Sequence, residues 1–308
     1  EIRRAGFLYL LIAHLGAIGI LLCFGVLHGT GDYTFESMRH ATLSPAWATA
    51  AFLFAVYGFG AKAGILPLHY WLPEAHPAAP SPVSALMSAV MLKTAIYGLL
   101  RVTFDLLQTQ VWWWGVLLLA LGLLTALFGV VFSAIQTDMK RLLAYSSIEN
   151  IGLIMVGIGL AITFGAYDMK PLAALALTAA LYHALNHAFF KSLLFLCTGS
   201  VLHATSERAL GKLGGLIHRM PSVAWAALIG VLYLTFAQGG TLWISFALAL
   251  TFAIYGVLRK TAPLDSLEGL TVETAICVLP SLAYLLYLQA NGVGHFAHTD
   301  SPTSILLC

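Results

Sequence analysis

Apolar runs of about 17–25 residues, the length of a transmembrane helix, recur along this chain and are separated by short polar segments. At a rise of about 1.5 Å per residue, each run is long enough to cross the hydrocarbon core of a bilayer as an α-helix. The pattern predicts an all-α fold, a polytopic transmembrane helix bundle of about nine spans. The predicted spans are residues 5–28, 45–70, 83–107, 112–135, 147–166, 171–203, 222–237, 240–258 and 271–289.

The second predicted span contains residues that interrupt a helix. Pro67 lacks the backbone N–H that a helix interior needs. Gly58, Gly60 and Gly64 loosen the turns before it. We therefore predict a broken helix near Lys62–Pro67. Irregular backbone at membrane depth occurs where it is buried in protein or lines a polar cavity, so the break is a candidate functional position.

Composition supports the membrane assignment. The 308 residues are 60% hydrophobic and only 9% charged, whereas soluble domains are about 25% charged. The net charge of +2 and the lack of a basic patch interleaved with aromatic residues argue against nucleic acid as a partner. The four cysteines lie mostly in apolar runs without a Cys-x-x-Cys pair. We therefore expect core thiols, with neither a metal site nor a disulfide framework.

The basic residues that lie outside the spans or toward their ends are distributed unequally between the two sides of the membrane. Nine lie on the side of the N-terminus: Arg3, Arg4, Lys140, Arg141, Arg208, Lys212, Arg219, Arg259 and Lys260. Three lie on the opposite side: Arg39, Arg101 and Lys170. Because cytoplasmic loops carry the excess of Lys and Arg, the N-terminus is predicted to be cytoplasmic.

Three titratable side chains lie four residues apart in the span at 171–203, namely His183, His187 and Lys191. This spacing places them on one face of a helix. A charge at the centre of a membrane helix costs about 2.5–3.5 kcal/mol, so such groups are usually functional. Imidazole titrates near pH ~6.5, and the row therefore favours proton transfer. A packing role for the histidines, or a metal bound by His-x3-His, is the alternative, although no Glu or Cys completes a metal site nearby.

Two further lysines lie inside predicted spans. Lys62 lies five residues before Pro67, where it is either a buried proton carrier or a side chain that extends to the membrane interface. Lys93 lies eleven residues into the span at 83–107, where reaching the interface would strain the side chain. Tyr97, one helical turn later, is expected to share its hydrogen bonds. Both lysines are candidate proton-relay residues.

The acidic residues near the spans have structural interpretations. Glu149 stands near the start of the span at 147–166, where Ser146 or Ser147 is a plausible N-cap and a first-turn Glu favours the helix dipole. Glu74 falls in a proline-rich loop and is expected at the surface or paired with a neighbouring chain. Glycines in the fourth and fifth spans are predicted at helix contacts, namely Gly115, Gly122, Gly129, Gly152, Gly157 and Gly159.

Four segments carry a family resemblance. They are Gly-Ala-Lys-Ala-Gly-Ile-Leu-Pro-Leu-His at 60–69, Trp-Leu-Pro-Glu-Ala-His at 71–76, Ala-Pro-Ser-Pro-Val-Ser-Ala-Leu-Met at 79–87 with Leu-Lys-Thr-Ala at 92–95, and Gln-Thr-Asp-Met-Lys-Arg-Leu-Leu-Ala-Tyr-Ser-Ser at 136–147. Through them, residues 1–220 resemble the antiporter-like proton-translocating subunits of respiratory complex I, Mrp-type sodium/proton antiporters and membrane-bound hydrogenases. Ser-Ile-Glu-Asn-Ile-Gly at 147–152 and the opening Glu-x-Arg-Arg-Ala-Gly-Phe are closer to the hydrogenase-4 and formate hydrogenlyase subunit.

The resemblance implies roles for individual residues. Lys62 matches the broken-helix lysine of the family, Lys93 its central relay lysine, and His183 and His187 its relay histidines. Protons are then expected to enter near Lys62, cross through Lys93 and water, and pass the helix that carries the histidines and Lys191. Two family features have no counterpart here: a glutamate on the helix before this chain begins, and a second broken helix after the histidine helix.

The C-terminal part carries a second resemblance. From about Trp225, the segments Gly-Val-Leu at 230–232, Leu-Ala-Leu-Thr-Phe-Ala-Ile-Tyr-Gly-Val-Leu-Arg-Lys at 248–260 and Gly-Leu-Thr-Val-Glu-Thr-Ala at 269–275 resemble EamA-type drug/metabolite transporters. We therefore expect two domains, with 1–220 an N-terminally truncated antiporter-like domain and 221–308 a fragment of transporter helices. The tail from Asn291 to Cys308 is expected to be poorly ordered.

The resemblance to residues 1–220 implies a proton-translocating membrane subunit without redox chemistry of its own. It implies partner membrane subunits of a hydrogenase or complex I-like assembly, where electron transfer takes place, in the inner (plasma) membrane of a bacterium. The transported ion is a proton or Na+. No phosphate loop, nucleophile elbow, flavin motif or haem motif is present, so we predict no cofactor and no metal. An EamA-type exporter and an inactive membrane fragment are the alternatives.

Overall fold

The computed structural model describes residues 2–29, 31–107, 109, 111–226 and 229. Within these ranges the chain is helical, with one isolated β-bridge between Asp138 and Ala209. The predicted all-α fold is therefore confirmed for this part of the chain. The helices are α1 (Ile2–His28), α2 (Phe35–Arg39), α3 (Pro45–Ala63), α4 (Trp71–Ala78), α5 (Ser81–Leu106), α6 (Trp112–Ala134), α7 (Met139–Ala166), α8 (Lys170–Thr205) and α9 (Leu216–Arg219).

Five of these helices, α1, α5, α6, α7 and α8, are long and apolar enough to cross a membrane. Four of them lie within a few residues of the predicted spans, whereas α7 begins well before the predicted 147–166. The predicted span at 45–70 is divided between α3 and α4. Apart from residues 222–226 and 229, the three predicted spans after residue 221 lie outside the described residues. The total of about nine spans therefore stays a prediction, as does the order of the C-terminal tail.

The break predicted near Lys62–Pro67 is confirmed. Gly64 ends α3 at φ +81°, in the left-handed region that favours glycine, and its N–H donates to Gly60 O over 2.8 Å. The chain then passes Pro67 before α4 begins at Trp71. Nε1 of the Trp71 indole donates to Ala61 O at 3.0 Å. This bond ties α4 back to α3 and satisfies one of the carbonyls freed at the end of the helix.

Thr125 on α6 stabilises the other side of the break. Its Oγ1 accepts a hydrogen bond from Leu66 N at 3.2 Å and donates one to Leu121 O at 2.6 Å.

Thr125→Val keeps the side-chain shape but removes this partner of the Leu66 N–H, which is expected to cost about 1–3 kcal/mol of unfolding free energy. Thermal unfolding in detergent measures the loss. The matched control is Thr94→Val, which removes an exposed hydroxyl bonded to Met91 O, and equal midpoints for both variants would contradict this role of Thr125.

Helix α5 contains two π-helical turns, at Met87–Met91 and Arg101–Leu106. Such turns insert an extra residue into a helix and occur frequently at functional sites. The first one lies directly before Leu92 and Lys93. It therefore changes the face on which the following side chains lie, relative to the first turns of α5.

Helices α6 and α7 pack closely along facing glycines. Gly115 lies against Gly159, and Gly122 lies against Gly152, so close that an added Cβ would meet backbone atoms of the partner helix. In a membrane the hydrophobic effect does not drive helices together, and small residues instead allow the backbones to approach this closely. The predicted contacts of Gly129 with α7 and of Gly157 with α8 are also present, so the glycine prediction is confirmed.

Helix α7 begins earlier than predicted. Asp138 is its N-cap, and its Oδ1 accepts hydrogen bonds from Lys140 N at 2.9 Å and Arg141 N at 3.0 Å. Glu149 consequently lies near the middle of α7, and its predicted role in the first turn is wrong. The error arises because Lys140 and Arg141 interrupt the apolar pattern, although within the helix Lys140 donates to Ala79 O and Arg141 pairs with Glu74.

Hydrogen bonds and ion pairs join the ends of α4, α7 and α8. Arg208 donates to Pro77 O at 3.0 Å and pairs with Asp138 at 3.3 Å. Arg141 pairs with Glu74 at 3.0 Å. Glu74 therefore lies on a helix in a half-buried ion pair, and its prediction as a surface loop residue is wrong. The sequence alone does not show that Arg141 reaches it from another helix.

The opposite end of the bundle has its own charged cluster. Arg39 pairs with Asp105 at 2.8 Å, and Arg101 pairs with the same carboxylate at 3.2 Å. Arg39 and Arg101 thus lie together, as the predicted orientation requires. Which end faces the cytoplasm stays a prediction.

Candidate functional site

A buried polar contact joins α5 to α8. The amine of Lys93 contacts Nδ1 of His187 and also donates a hydrogen bond to Ser88 O at 2.7 Å. The ring of His187 is 0% exposed. Two of the predicted relay residues, far apart in sequence, are therefore in direct contact inside the bundle.

Lys191 extends this contact toward α7, and Lys93, His187 and Lys191 together form a buried row of titratable residues. It is 1% exposed, and its amine donates to Leu143 O at 3.1 Å. The same carbonyl accepts the hydroxyl of Ser147 at 2.8 Å, and Ser147 shares a 2.9 Å hydrogen bond with the hydroxyl of Ser88. The carboxylate of Glu149 interacts electrostatically with Lys191. Hydrogen-bonding groups thus run from Lys93 to Lys191 across three helices.

His183 forms a branch of the same row. Its Nε2 shares a 3.0 Å hydrogen bond with Asn150 Oδ1, and Asn150 Nδ2 donates to Ser146 O at 2.7 Å. The rings of His183 and His187 are nearly parallel, with centroids 6.4 Å apart. His183 is only half-buried and borders a cleft of about 430 Å³ between α7 and α8. It therefore lies where the row approaches the surface of the bundle.

Lys62 lies apart from the row. Its amine is 5.8 Å from the centroid of the Tyr9 ring, a cation–π distance, and it lines a cleft of about 250 Å³ formed by α1, α3 and α5. Thr94, the neighbour of Lys93, lines the same cleft. Among the described residues, Lys62 has no hydrogen bond to the row. The route from Lys62 to Lys93 stays a prediction, as does the alternative that Lys62 extends to the membrane interface.

The expected support of Lys93 by Tyr97 is wrong. Tyr97 is 60% exposed, whereas the amine of Lys93 is bonded to Ser88 and His187. The π-turn in α5 and the packing of α8 determine this geometry, and neither follows from a spacing of four residues.

Four buried polar residues in or near this site were not predicted to be part of it: His76, Ser88, Ser147 and Asn150. Serine and asparagine inside apolar helices are a weak signal, because a helix accommodates them by bonding to its own carbonyls. His76 lies between Pro73 and Pro77, where its neighbours indicate a turn. In the described ranges, no three His, Cys, Asp or Glu side chains converge as ligands for a metal ion.

The arrangement suits proton transfer. Amine, imidazole, hydroxyl and carbonyl groups accept or donate hydrogen bonds, and imidazole and amine also gain and lose protons. Titratable groups placed so deep in apolar surroundings are costly, and such groups commonly mark ion pathways.

Comparison with known proteins identifies the family of this chain. Residues 1–241 match a family described as NADH:quinone oxidoreductase/Mrp antiporter, transmembrane. Hydrogenase-4 component B of Escherichia coli K12 is 41% identical over 300 residues, which cover 94% of this chain and 44% of that protein. Formate hydrogenlyase subunit 3 of the same strain is 40% identical over 236 residues, covering 74% of this chain and 38% of that protein. The chain thus spans less than half of either relative.

A solved structure shows the same architecture. A chain of respiratory complex I from Thermus thermophilus superposes with a TM-score of 0.65 at 26% identity, covering 76% of this chain and 48% of that chain.

The expected EamA-type resemblance receives no support. The alignment with hydrogenase-4 component B covers 94% of the chain and therefore continues past residue 221, where a transporter fragment was expected to begin. Apolar membrane helices share composition whatever their family, so short motifs within them carry little specificity. The domain boundary at residue 221 stays a prediction, since most of the C-terminal part lies outside the described residues.

Proposed function

Because the chain belongs to the NADH:quinone oxidoreductase/Mrp antiporter transmembrane family, we propose that it is part of a proton-translocating subunit in a hydrogenase- or complex I-type membrane assembly. Its own residues move protons, and partner subunits perform the electron transfer that drives them. The protein is multi-pass in the inner membrane of a bacterium, with the N-terminal end of the bundle toward the cytoplasm.

The contact between Lys93 and His187 carries this proposal. It joins two protonatable groups on different helices at a position without solvent access to His187. A proton that leaves the amine of one residue has the imidazole of the other as its acceptor. Lys191, Ser147 and Ser88 extend the same hydrogen-bonded region, so Lys93, His187 and Lys191 form the core of the relay.

The chemistry of the row favours protons over Na+. Hard metal cations prefer several oxygen ligands. The row presents amines and imidazoles, and a protonated lysine repels a metal cation. Lys62 and His183 extend the relay toward the clefts at its two sides.

The variant His187→Gln tests the proposed function. The assembly that purifies with the tagged full-length protein is placed in proteoliposomes, and proton uptake under an imposed membrane potential is followed with an internal pH dye. Glutamine keeps polarity but does not titrate, so uptake should fall by about tenfold or more. His203→Gln is the control, because His203 is an exposed histidine on the same helix. Equal uptake by wild type and His187→Gln would contradict the proposal.

A further inference from the structure

His76 on α4 is a buried titratable residue outside the proposed relay. It is 0% exposed, and its ring stacks on that of Phe195 with centroids 4.7 Å apart. Neither ring nitrogen has a hydrogen-bond partner among the described residues. Buried polar groups are nearly always hydrogen-bonded, and those without a protein partner commonly bond to internal water. Packing against Phe195 explains why an aromatic ring is buried here, but it does not explain a ring with two polar nitrogens.

The position of His76 along the bundle is informative. Phe195, its stacking partner, lies one helical turn after Lys191 on α8. Lys140 also lies near His76, since its amine donates at 2.7 Å to the carbonyl of Ala79, three residues after His76. Burial, followed by the positive charges of Lys191 and Lys140, lowers the pKa of the His76 imidazole. His76 thus lies close to the part of α8 that carries Lys191 and to Lys140 at the start of α7.

Lys140 connects this region to the end of the bundle. It is 3% exposed and follows the N-cap Asp138, whose carboxylate pairs with Arg208 at the polar end of α7 and α8. A proton that reaches Lys140 is therefore close to the polar end of α7 and α8. By contrast, Lys191 faces Leu143 O and the row leading to Lys93.

We propose that His76 is a further proton-relay residue, joining Lys191 to Lys140 and so connecting the buried row with the end of the bundle where α7 begins. The inference rests on the proposed function and adds a second segment to its route. Internal water bridges the two ring nitrogens to the flanking amines.

The transfer step conserves protons and involves no electrons. One ring nitrogen accepts a proton delivered from the side of Lys191, and the other nitrogen releases its proton toward Lys140. The ring is then left in its other neutral tautomer, and a ring flip or a return proton restores it. Transfer in the opposite direction uses the same atoms.

Two substitutions separate a relay from a packing role. His76→Phe keeps an aromatic ring against Phe195 but removes both nitrogens. Phe195→Leu keeps the imidazole but removes the stacking ring. If His76 carries protons, His76→Phe should lower proton uptake by about tenfold or more in the proteoliposome assay, while Phe195→Leu retains most of it. If His76 only packs, His76→Phe retains uptake, and this result would overturn the inference.

Chemical rescue distinguishes proton transfer by the imidazole from its role in packing. Imidazole added to His76→Gly fills the space of the missing ring and restores proton exchange. Pyrrole has the same five-membered shape but no basic nitrogen. Recovery with imidazole and not with pyrrole is expected, after subtraction of the leak in protein-free liposomes. Equal recovery with both compounds would assign His76 a purely space-filling role.

The outcomes also distinguish this inference from the proposed function. Loss of uptake in His187→Gln together with normal uptake in His76→Phe would reject the role of His76 and leave the proposed function intact. Normal uptake in His187→Gln would reject the proposed function itself. Loss in both variants, with rescue by imidazole in His76→Gly, is the result expected here.

Discussion

Lys93→Met is expected to lower proton uptake by about a hundredfold or more, the range typical of removing an essential acid–base group. Methionine nearly matches lysine in length and fits the apolar surroundings, so the helices should still pack. The variant removes the amine that contacts both His187 and the carbonyl of Ser88. Without it, the row loses its link between α5 and α8. The measurement is proton uptake by proteoliposomes that contain the full assembly.

Two comparisons make this result specific. Lys170→Met removes an exposed lysine paired with Asp168 and should leave uptake within about twofold of wild type. In the double variant Lys93→Met/His187→Gln, the loss should be close to that of Lys93→Met alone, because contacting residues that act as a unit are not additive. If the loss of uptake in the double variant equals the product of the losses in the two single variants, the two side chains do not share a step.

Gly122→Val is expected to destabilise the bundle by about 1–3 kcal/mol or more, because it overpacks a helix contact. A Cβ at Gly122 would lie 2.7 Å from the oxygen of Gly152 and 2.8 Å from the nitrogen of Val156. Both are backbone atoms of α7, so a side-chain rotation cannot relieve the clash. Valine is more apolar than glycine, so membrane insertion itself should not suffer. Thermal unfolding in detergent measures the loss.

The matched control for this contact is Gly25→Val on α1. A Cβ at Gly25 would have no neighbour within 4 Å. The same substitution should therefore leave the midpoint of unfolding nearly unchanged there. Equal destabilisation of both variants would indicate a general effect of valine in these helices and would contradict the close α6–α7 contact.

Much of the helix pattern followed from the sequence, because hydrophobic length and helix-breaking residues are local properties. The break before Pro67 is an example, since Gly64 supplies the left-handed cap that ends α3. The start of α7 was missed for the opposite reason. Arg141 looked like a loop residue, yet Glu74 on another helix pairs with it at 3.0 Å. Local patterns do not contain such tertiary partners.

In the candidate site, too, local features could be predicted from the sequence and tertiary contacts could not. The spacing of His183, His187 and Lys191 predicts one helix face, and the structure places His187 and Lys191 in buried positions. The contact between His187 and Lys93 spans 94 residues of sequence and depends on how α5 and α8 pack. His76 gave no signal, because a histidine between two prolines resembles a turn residue. The position of His76 is apparent only from the tertiary structure, where its ring stacks on Phe195 and Lys140 bonds to the nearby Ala79 O.

The proposed relay requires that Lys93 and His187 exchange a proton inside the membrane. Solid-state nitrogen NMR of labelled protein in lipid bilayers tests it most directly, by comparing the His187 ring signals of wild type and Lys93→Met over a range of pH. We expect the signals of the His187 ring nitrogens to change in step with that of the Lys93 amine, and Lys93→Met to abolish this shared transition. Ring signals that are the same in both proteins at every pH would contradict the proposed proton exchange.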